Sequence, residues 1–128
     1  DLRNSTAFNN IGSLYENGQG VKQDYSKAIE YYQKSADLGN STAFNNIGFL
    51  YENGEGVKQD YSKALEYYQK SADLGNSTAF YNIGYLYKKG LGVKQDYSKA
   101  LKYYQKSADL GDEYAPKRIN EIRKLMKK

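Results

Sequence analysis

The sequence contains neither cysteine nor histidine. The missing cysteine excludes disulfide bonds and thiol chemistry, and it leaves the redox compartment of the protein open. The missing histidine removes the commonest general base and the commonest metal-binding side chain. No apolar run is long enough to cross a membrane, and no signal peptide begins the sequence. We therefore expect no catalytic residue, no metal site, no cofactor and no insertion into a membrane.

Most of the 128 residues belong to one segment of 36 residues that occurs three times. Residues 4–39 read NSTAFNNIGSLYENGQGVKQDYSKAIEYYQKSADLG. Residues 40–75 match them at 33 of 36 positions, and residues 76–111 match the second copy at 30 of 36 positions. A fixed period of this length is typical of a stacked array, in which each unit buries its apolar face against a neighbour. We call these copies repeats 1, 2 and 3.

The residues outside the three repeats indicate how the array is bounded. Residues 1–3 stand where residues 37–39 stand before repeat 2, so we interpret them as the end of a preceding repeat and the chain as a piece of a longer array. Residues 112–128 align with only the first half of a repeat, with Asp112 at the capping position. They are predicted to form a C-terminal capping helix. Its apolar stripe consists of Ala115, Ile119, Ile122 and Met126.

Each repeat reads as a helix, a loop and a second helix. In repeat 1, Asn4 and Asp24 are predicted N-caps of the two helices. Gly18 fits the left-handed position after the first helix. Val21 is expected to anchor the loop by inserting its side chain into the core. Gly12 recurs in mid-helix in every repeat, which predicts a close approach of the two helices. Apolar residues recur at three- and four-residue spacing. The predicted inner faces are Ala7, Phe8, Ile11, Leu14 and Tyr15, then Tyr25, Ala28, Ile29, Tyr32 and Ala36.

The pattern from Ala7 to Gly39 is A-x-x-x-I-G-x-L-Y-x-x-G-x-G-V-x-x-D-Y-x-K-A-x-x-Y-Y-x-x-S-A-x-x-G. This pattern resembles the Sel-one-like repeat (SLR), a family of α/α solenoids related to the tetratricopeptide repeat. The resemblance implies an all-α fold, a right-handed α/α solenoid of three 36-residue helix-loop-helix repeats plus the capping helix. The sequence departs from the usual pattern at Ile11, where leucine is common, and at Ser35, within the usual Ala-Ala pair.

The positions at which the three repeats differ mark a candidate binding surface. On the first helices they are Asn9/Asn45/Tyr81, Ser13/Phe49/Tyr85, Glu16/Glu52/Lys88 and Asn17/Asn53/Lys89. Their spacing places them on one stripe of the helix, apart from the apolar stripe. In tetratricopeptide-like solenoids the first helices line a concave groove that binds extended peptides. The resemblance therefore implies a peptide-binding groove lined by Asn9, Ser13, Asn45, Phe49, Tyr81, Tyr85, Lys88 and Lys89.

This groove is predicted to be polar in repeat 1 and both aromatic and basic in repeat 3. Aromatic anchors beside lysines suit an acidic or carboxylate-ended segment that carries a bulky apolar residue. Asn10, Asn46 and Asn82 are candidates to hydrogen-bond its backbone. We thus expect a protein–protein interaction scaffold with an acidic protein or peptide as partner, and exposed ends of the array also permit self-association. Drift at exposed positions is the alternative explanation of the differences.

The charge distribution leaves further functions open. The net charge of +4 divides into −1, −2 and +4 for repeats 1 to 3 and +3 for residues 112–128. This asymmetry suits the steering of an acidic partner, although charge also serves solubility alone. The alternative is binding of nucleic acid or another polyanion through the basic third repeat and tail, disfavoured by the scarcity of arginine. A hydrolase is the weaker alternative, because no activated nucleophile is evident.

Overall fold

The computed structural model describes residues 2–128. This part of the chain forms seven helices and no strands. They are α1 (Leu2–Asn17), α2 (Tyr25–Asp37), α3 (Ser41–Asn53), α4 (Tyr61–Asp73), α5 (Ser77–Lys89), α6 (Tyr97–Asp109) and α7 (Ala115–Met126). The main helix contacts join neighbours in sequence, so each helix pair stacks on the next. The predicted all-α repeat solenoid is confirmed.

The first helix begins before its predicted N-cap. α1 includes Leu2 and Arg3, which the sequence assigned to a preceding repeat, and Asn4 lies inside it. Asp1 of that assigned segment lies outside the described residues. The equivalent Asn40 follows Gly39, whose φ of +88° turns the chain out of α2 before α3 starts. Arg3 stands in the place of that glycine, so the helix continues through Asn4.

The predicted N-caps of α2 to α6 are present. The prediction is wrong for α7, which begins at Ala115 with Tyr114 at its N-cap, two residues after Asp112. Asn40 accepts a hydrogen bond from the Ala43 backbone N–H at 3.0 Å and so caps α3. Asp60 accepts one from the Lys63 backbone N–H at 3.0 Å and so caps α4, and equivalent side-chain caps occur at α2, α5 and α6. Such side-chain caps satisfy backbone donors that have no partner within the helix. The local sequence therefore defines where five of the helices begin.

The two helices of a repeat approach closely across a glycine. A Cβ atom added at Gly48 would lie 2.7 Å from the Cδ1 and Cε1 atoms of Tyr68, and 3.1 Å from the carbonyl oxygen of Ala64. Tyr68 is fully buried, as are Tyr32 and Tyr104 in the flanking repeats. Glycine is required because the tyrosine ring lies against the backbone of the first helix. The predicted close approach is confirmed.

Burial of the first helix depends on the repeat that precedes it. Ile47 and Leu50 of α3 are fully buried in a cluster with residues of α2. Leu14 of α1, equivalent to Leu50, is 41% exposed, and Ala7 is exposed too. The predicted inner face is therefore wrong for these two residues, because no second helix covers α1 on this side within residues 2–128. Self-association through this open face stays a prediction.

Burial of the interhelix loop also depends on the preceding repeat. Val21 is exposed, whereas the equivalent Val57 is half-buried. A Cβ atom added at Gly56 would lie 2.6 Å from the Cβ atom of Tyr25, so the loop of repeat 2 rests on α2. The loop of repeat 1 has no such support in the described chain, and the predicted plug at Val21 is wrong.

The last helix packs on repeat 3 as a cap. Ala115, Ile119 and Ile122 are buried against α6 and its neighbours, as predicted. Met126 in the last turn is exposed, so the apolar stripe is one residue shorter than the sequence predicted. None of the helices within residues 2–128 combines the length and the apolar character that a membrane span needs.

Candidate functional site

Hydrogen bonds join successive first helices into one continuous surface. The Asn46 side-chain amide donates to Oδ1 of Asn9 at 3.0 Å, which links α3 to α1. The Asn82 amide donates to Oδ1 of Asn45 at 2.9 Å, which links α5 to α3. These amides were candidates for binding a peptide backbone, and the structure instead engages them between helices. Asn9 and Asn45 are therefore placed on the predicted stripe but serve to align its helices.

A hydrogen bond between different residues joins the last first helix, α5, to the capping helix α7. Nε of Arg118 in α7 donates to the hydroxyl of Tyr81 at 2.8 Å. Nη1 of Arg118 also lies 2.8 Å from Oε1 of Glu121, whose Oε2 lies 3.6 Å from Nζ of Lys88. Two predicted groove residues of repeat 3, Tyr81 and Lys88, thus contact α7. Arg118 occupies the position of Asn46 and Asn82 when residues 112–128 are aligned with a repeat, and the sequence analysis did not predict its contact with Tyr81.

The charges around Glu121 favour its ionised form. Burial raises the pKa of Glu121, but the hydrogen bond from Arg118 and the charges of Arg118 and Lys88 lower it more. The net shift of this pKa is therefore downward. Glu121 stays a carboxylate in neutral solution and joins α7 to α5.

Glu16 and Glu52 occupy the same position of the varying stripe in repeats 1 and 2, and each contacts a buried tyrosine of the second helix. The Tyr32 hydroxyl donates to Oε1 of Glu16 at 2.6 Å, and the Tyr68 hydroxyl donates to Oε1 of Glu52 at 2.6 Å. Ser13 lies 3.2 Å from the Tyr32 hydroxyl and is engaged with it. Burial, with the adjacent carboxylate as a further cause, raises the pKa of both tyrosines. The hydroxyls thus remain donors in charge-assisted hydrogen bonds.

Repeat 3 keeps the tyrosine and lacks the carboxylate. Lys88 stands in place of the glutamate, and the Tyr104 hydroxyl has no hydrogen-bond partner within residues 2–128. The ring of Tyr104 is fully buried and meets the ring of Tyr81 edge-on, with centroids 5.2 Å apart. Burial raises the pKa of Tyr104, so its hydroxyl stays protonated. An unsatisfied buried hydroxyl costs about 1–3 kcal/mol. Tyr104 therefore differs from Tyr32 and Tyr68, whose hydroxyls are hydrogen-bonded.

The solvent-facing part of the stripe is small. Phe49 is 46% exposed, and Lys89 is exposed and forms no ion pair with any described residue. Tyr85, at the position equivalent to Phe49, is half-buried. Ser13, at the same position in repeat 1, is half-buried and bonded to Tyr32. Phe49, Tyr85 and Lys89 are thus the predicted residues that the structure leaves available to a ligand.

Two of the six lysines of repeat 3 lie over aromatic rings in contacts that recur along the array. Nζ of Lys99 lies 5.4 Å from the centroid of the Tyr87 ring, and Nζ of Lys106 lies 5.6 Å from the centroid of the Phe80 ring. Equivalent lysine–aromatic contacts occur in repeats 1 and 2, so they belong to the repeat itself. The extra charge of repeat 3 rests on Lys88, Lys89 and Lys102, and Lys88 is paired. Binding of a polyanion through repeat 3 and residues 112–128 stays an alternative prediction.

Three shallow clefts lie beside the interhelix loops, with volumes of about 440, 480 and 590 Å³. The cleft of repeat 2 contains Asp60, Tyr51, Lys58 and Lys63. Asp60 is the N-cap of α4, so its carboxylate is engaged by the helix. Within residues 2–128 no three acidic side chains come together to hold a metal ion.

The model of the Sel1 repeat family matches residues 7–40, 43–76 and 78–112. The chain belongs to the Sel1 repeat family. The predicted resemblance is thereby confirmed. Sel1 repeats generally serve as scaffolds for protein–protein interaction, and such scaffolds are generally non-enzymatic. No curated protein matches the sequence at a significant level.

Solved structures of Sel1 repeat proteins share this fold. A Sel1 repeat protein from Oxalobacter formigenes is 35% identical with a TM-score of 0.84, over 91% of this chain and 48% of the other. The protective antigen c5321 of uropathogenic Escherichia coli, which displays an SLR fold, is 33% identical with a TM-score of 0.87, over 92% and 25%. Cysteine-rich protein B of Helicobacter pylori is 29% identical with a TM-score of 0.71, over 90% and 92%. This Sel1 chain thus spans about half the length of the first protein and a quarter of the second.

Proposed function

We propose that this Sel1 array is a protein-interaction scaffold whose first helices bind an extended, acidic peptide segment. Phe49 carries the proposal, because a phenylalanine that is 46% exposed lies on the surface formed by the aligned first helices. Repeat 1 has the small polar Ser13 at this position. Aromatic residues of this kind commonly dominate the free energy of peptide binding.

Charge supports an acidic partner rather than a basic one. Lys89 is exposed at the end of α5 and has no carboxylate partner in the described chain. The equivalent positions in repeats 1 and 2 are Asn17 and Asn53, so a positive charge appears only toward the C-terminal end. A segment that crosses α3 and α5 would meet an aromatic residue first and then this charge. Such a surface favours a bulky apolar residue followed by an acidic one.

Binding to synthetic nonapeptides tests this proposal. One set alternates Asp or Glu with Phe, Leu or Tyr, and a second set replaces the acidic residues with Lys. Fluorescence anisotropy should show the acidic set binding at least tenfold more tightly. The double variant Phe49→Ser, Lys89→Asn places the residues of repeat 1 in the later repeats, and it should weaken this binding at least tenfold.

Lys102→Glu is the matched control. It restores on the second helix of repeat 3 the acid that repeats 1 and 2 carry, away from the first-helix surface. We expect it to change the affinity for the acidic peptides by less than twofold. Equal binding of the two peptide sets, or equal effects of the two variants, would contradict the proposal. Tight binding of a random oligonucleotide with a steep salt dependence would favour the polyanion alternative instead.

A further inference from the structure

Repeats 1 and 2 show how a carboxylate binds to the buried tyrosine of the second helix. In repeats 1 and 2 a buried tyrosine hydroxyl donates to the carboxylate of Glu16 or Glu52 at 2.6 Å. Both carboxylates come from the same position of the first helix, 16 residues before their tyrosine. The pair is therefore a property of the repeat, and it defines where a carboxylate fits against this tyrosine.

Repeat 3 has the donor of this pair without the acceptor. The Tyr104 hydroxyl is buried and unpaired in the described chain, while the carboxylate position is held by Lys88. Lys88 and Arg118 both contact Glu121. Glu121 makes no hydrogen bond to the Tyr104 hydroxyl, and its contact with Lys88 is long, at 3.6 Å. The charges of Arg118 and Glu121 act on the Tyr104 hydroxyl, and neither side chain hydrogen-bonds to it within residues 2–128.

We propose that repeat 3 binds a carboxylate group of a ligand at the position that Glu16 and Glu52 occupy in repeats 1 and 2. One oxygen of this carboxylate accepts a hydrogen bond from the Tyr104 hydroxyl, and the other pairs with the ammonium group of Lys88. The carboxylate is an Asp or Glu side chain or the C-terminus of an acidic peptide. This inference rests on the proposed function and assigns one subsite within it.

The arrangement of the ion pairs allows Lys88 to change partner. Its Nζ lies 3.6 Å from Glu121, whereas the Arg118 nitrogen lies 2.8 Å from the same carboxylate. Lys88 therefore gives up the longer contact, and Glu121 keeps its closer partner. Lysine has a flexible four-carbon chain, so its ammonium group can follow an incoming carboxylate. Repeats 1 and 2 have no equivalent subsite, because Glu16 and Glu52 fill it.

Small carboxylates titrated into the full chain test the subsite by nuclear magnetic resonance. N-acetylphenylalanine supplies a terminal carboxylate, and the α-amide of N-acetylglutamate supplies a side-chain carboxylate. Their neutral counterparts are N-acetylphenylalaninamide and the α-amide of N-acetylglutamine. At least one carboxylate should shift the Tyr104 ring resonances and the backbone amides of α5 saturably, and the neutral compounds should not. Which of the two carboxylates binds distinguishes a C-terminus from an acidic side chain.

Two variants and one control locate the binding. Lys88→Glu rebuilds the internal carboxylate of repeats 1 and 2, and Tyr104→Phe removes the donor. Each should weaken the binding at least tenfold, read from the amide resonances of α5, while thermal unfolding verifies that the variant is folded. Lys102→Glu makes the same change of charge on α6 and should alter the affinity less than twofold.

Two results would overturn the subsite. One is the absence of a saturable shift with both carboxylates, and the other is an equal effect of Lys88→Glu and Lys102→Glu. The acidic nonapeptides separate this failure from failure of the proposed function. If they bind in a manner that depends on Phe49 but is insensitive to Tyr104→Phe, the subsite is wrong and the binding surface stands. If they do not bind at all, the proposed function itself is wrong.

Discussion

Replacing the buried tyrosines with phenylalanine, one at a time, removes a hydroxyl and keeps the ring. In Tyr68→Phe the lost hydroxyl is the one that donates to Glu52 at 2.6 Å. A hydrogen bond to a charged group contributes about 1.5–3 kcal/mol to stability. Glu52 is half-buried, so its carboxylate regains contact with water in the variant. We therefore expect Tyr68→Phe to lower the free energy of unfolding by about 1–2 kcal/mol.

Tyr104→Phe should behave differently, because its hydroxyl has no partner in the described chain. Removing it loses no hydrogen bond and relieves a burial penalty of about 1–3 kcal/mol, offset by the small void that the oxygen leaves. We expect the free energy of unfolding to stay unchanged or to rise by up to about 1 kcal/mol. The two substitutions are chemically identical and occupy equivalent positions, so their difference isolates the hydrogen bond.

Urea unfolding followed by circular dichroism measures both variants, and thermal unfolding supports it. For a chain of this length, 1 kcal/mol corresponds to a shift of roughly 3–5 °C in Tm. A double-mutant cycle between Lys88→Glu and Tyr104→Phe extends the measurement. The introduced carboxylate gives the Tyr104 hydroxyl an acceptor, so the two changes should couple by about 1 kcal/mol. The cycle cancels the separate cost of placing a second acid near Glu121.

Two results would refute this reasoning. The first is a loss of stability in Tyr104→Phe as large as the loss in Tyr68→Phe. The second is a coupling energy below about 0.3–0.5 kcal/mol in the cycle, the range in which independent sites normally add. Either result would mean that the hydroxyl of Tyr104 already has a satisfactory partner in solution.

Two further predictions concern packing and charge. Gly48→Ala should destabilise the protein by about 1–3 kcal/mol, because the added Cβ atom would lie 2.7 Å from the ring of Tyr68. This cost of overpacking exceeds the gain of about 0.5–1 kcal/mol that alanine brings in helix propensity. An unchanged urea midpoint would contradict it. The pKa of Glu121 is lowered from 4.5, so its contribution is complete above that pH and is lost as the pH falls through the folded-state pKa. The Tm difference between the wild type and Glu121→Gln should therefore shrink below about pH 4.5, and a constant difference would count against the ion pair.

The sequence was sufficient for the existence of the helices and for the first residues of α2 to α6. Asn40 and Asp60 cap their helices as predicted, and Gly48 marks the closest helix approach. These features depend on residues near in sequence or on a pattern that repeats. The predictions failed at Ala7, Leu14 and Val21 of repeat 1, because the cover of these apolar residues comes from the preceding repeat. They also failed at the cap Asn4 and at Met126 in the last turn of α7.

The candidate site was predicted only in part. The stripe of differing residues was found by comparing the repeats, and Phe49 and Lys89 lie exposed on it. The sequence did not show that Tyr81 and Lys88 contact the capping helix, or that the Tyr104 hydroxyl is unpaired. Arg118 and Tyr81 are 37 residues apart, as are Asn46 and Asn9, so their contact follows the repeat period with different residue types.

By itself, the sequence determined the helical repeat, its caps and its turns, because these depend on hydrogen bonds and steric limits within a few residues. Only the tertiary structure decided which residues of the varying stripe remain open. Asn9 and Asn45 are engaged by amides 37 residues further on, and each buried tyrosine is satisfied or left unpaired by a side chain 16 residues earlier. The asparagine contacts form only when successive repeats stack, and the tyrosine contacts form only when the two helices of one repeat pack together.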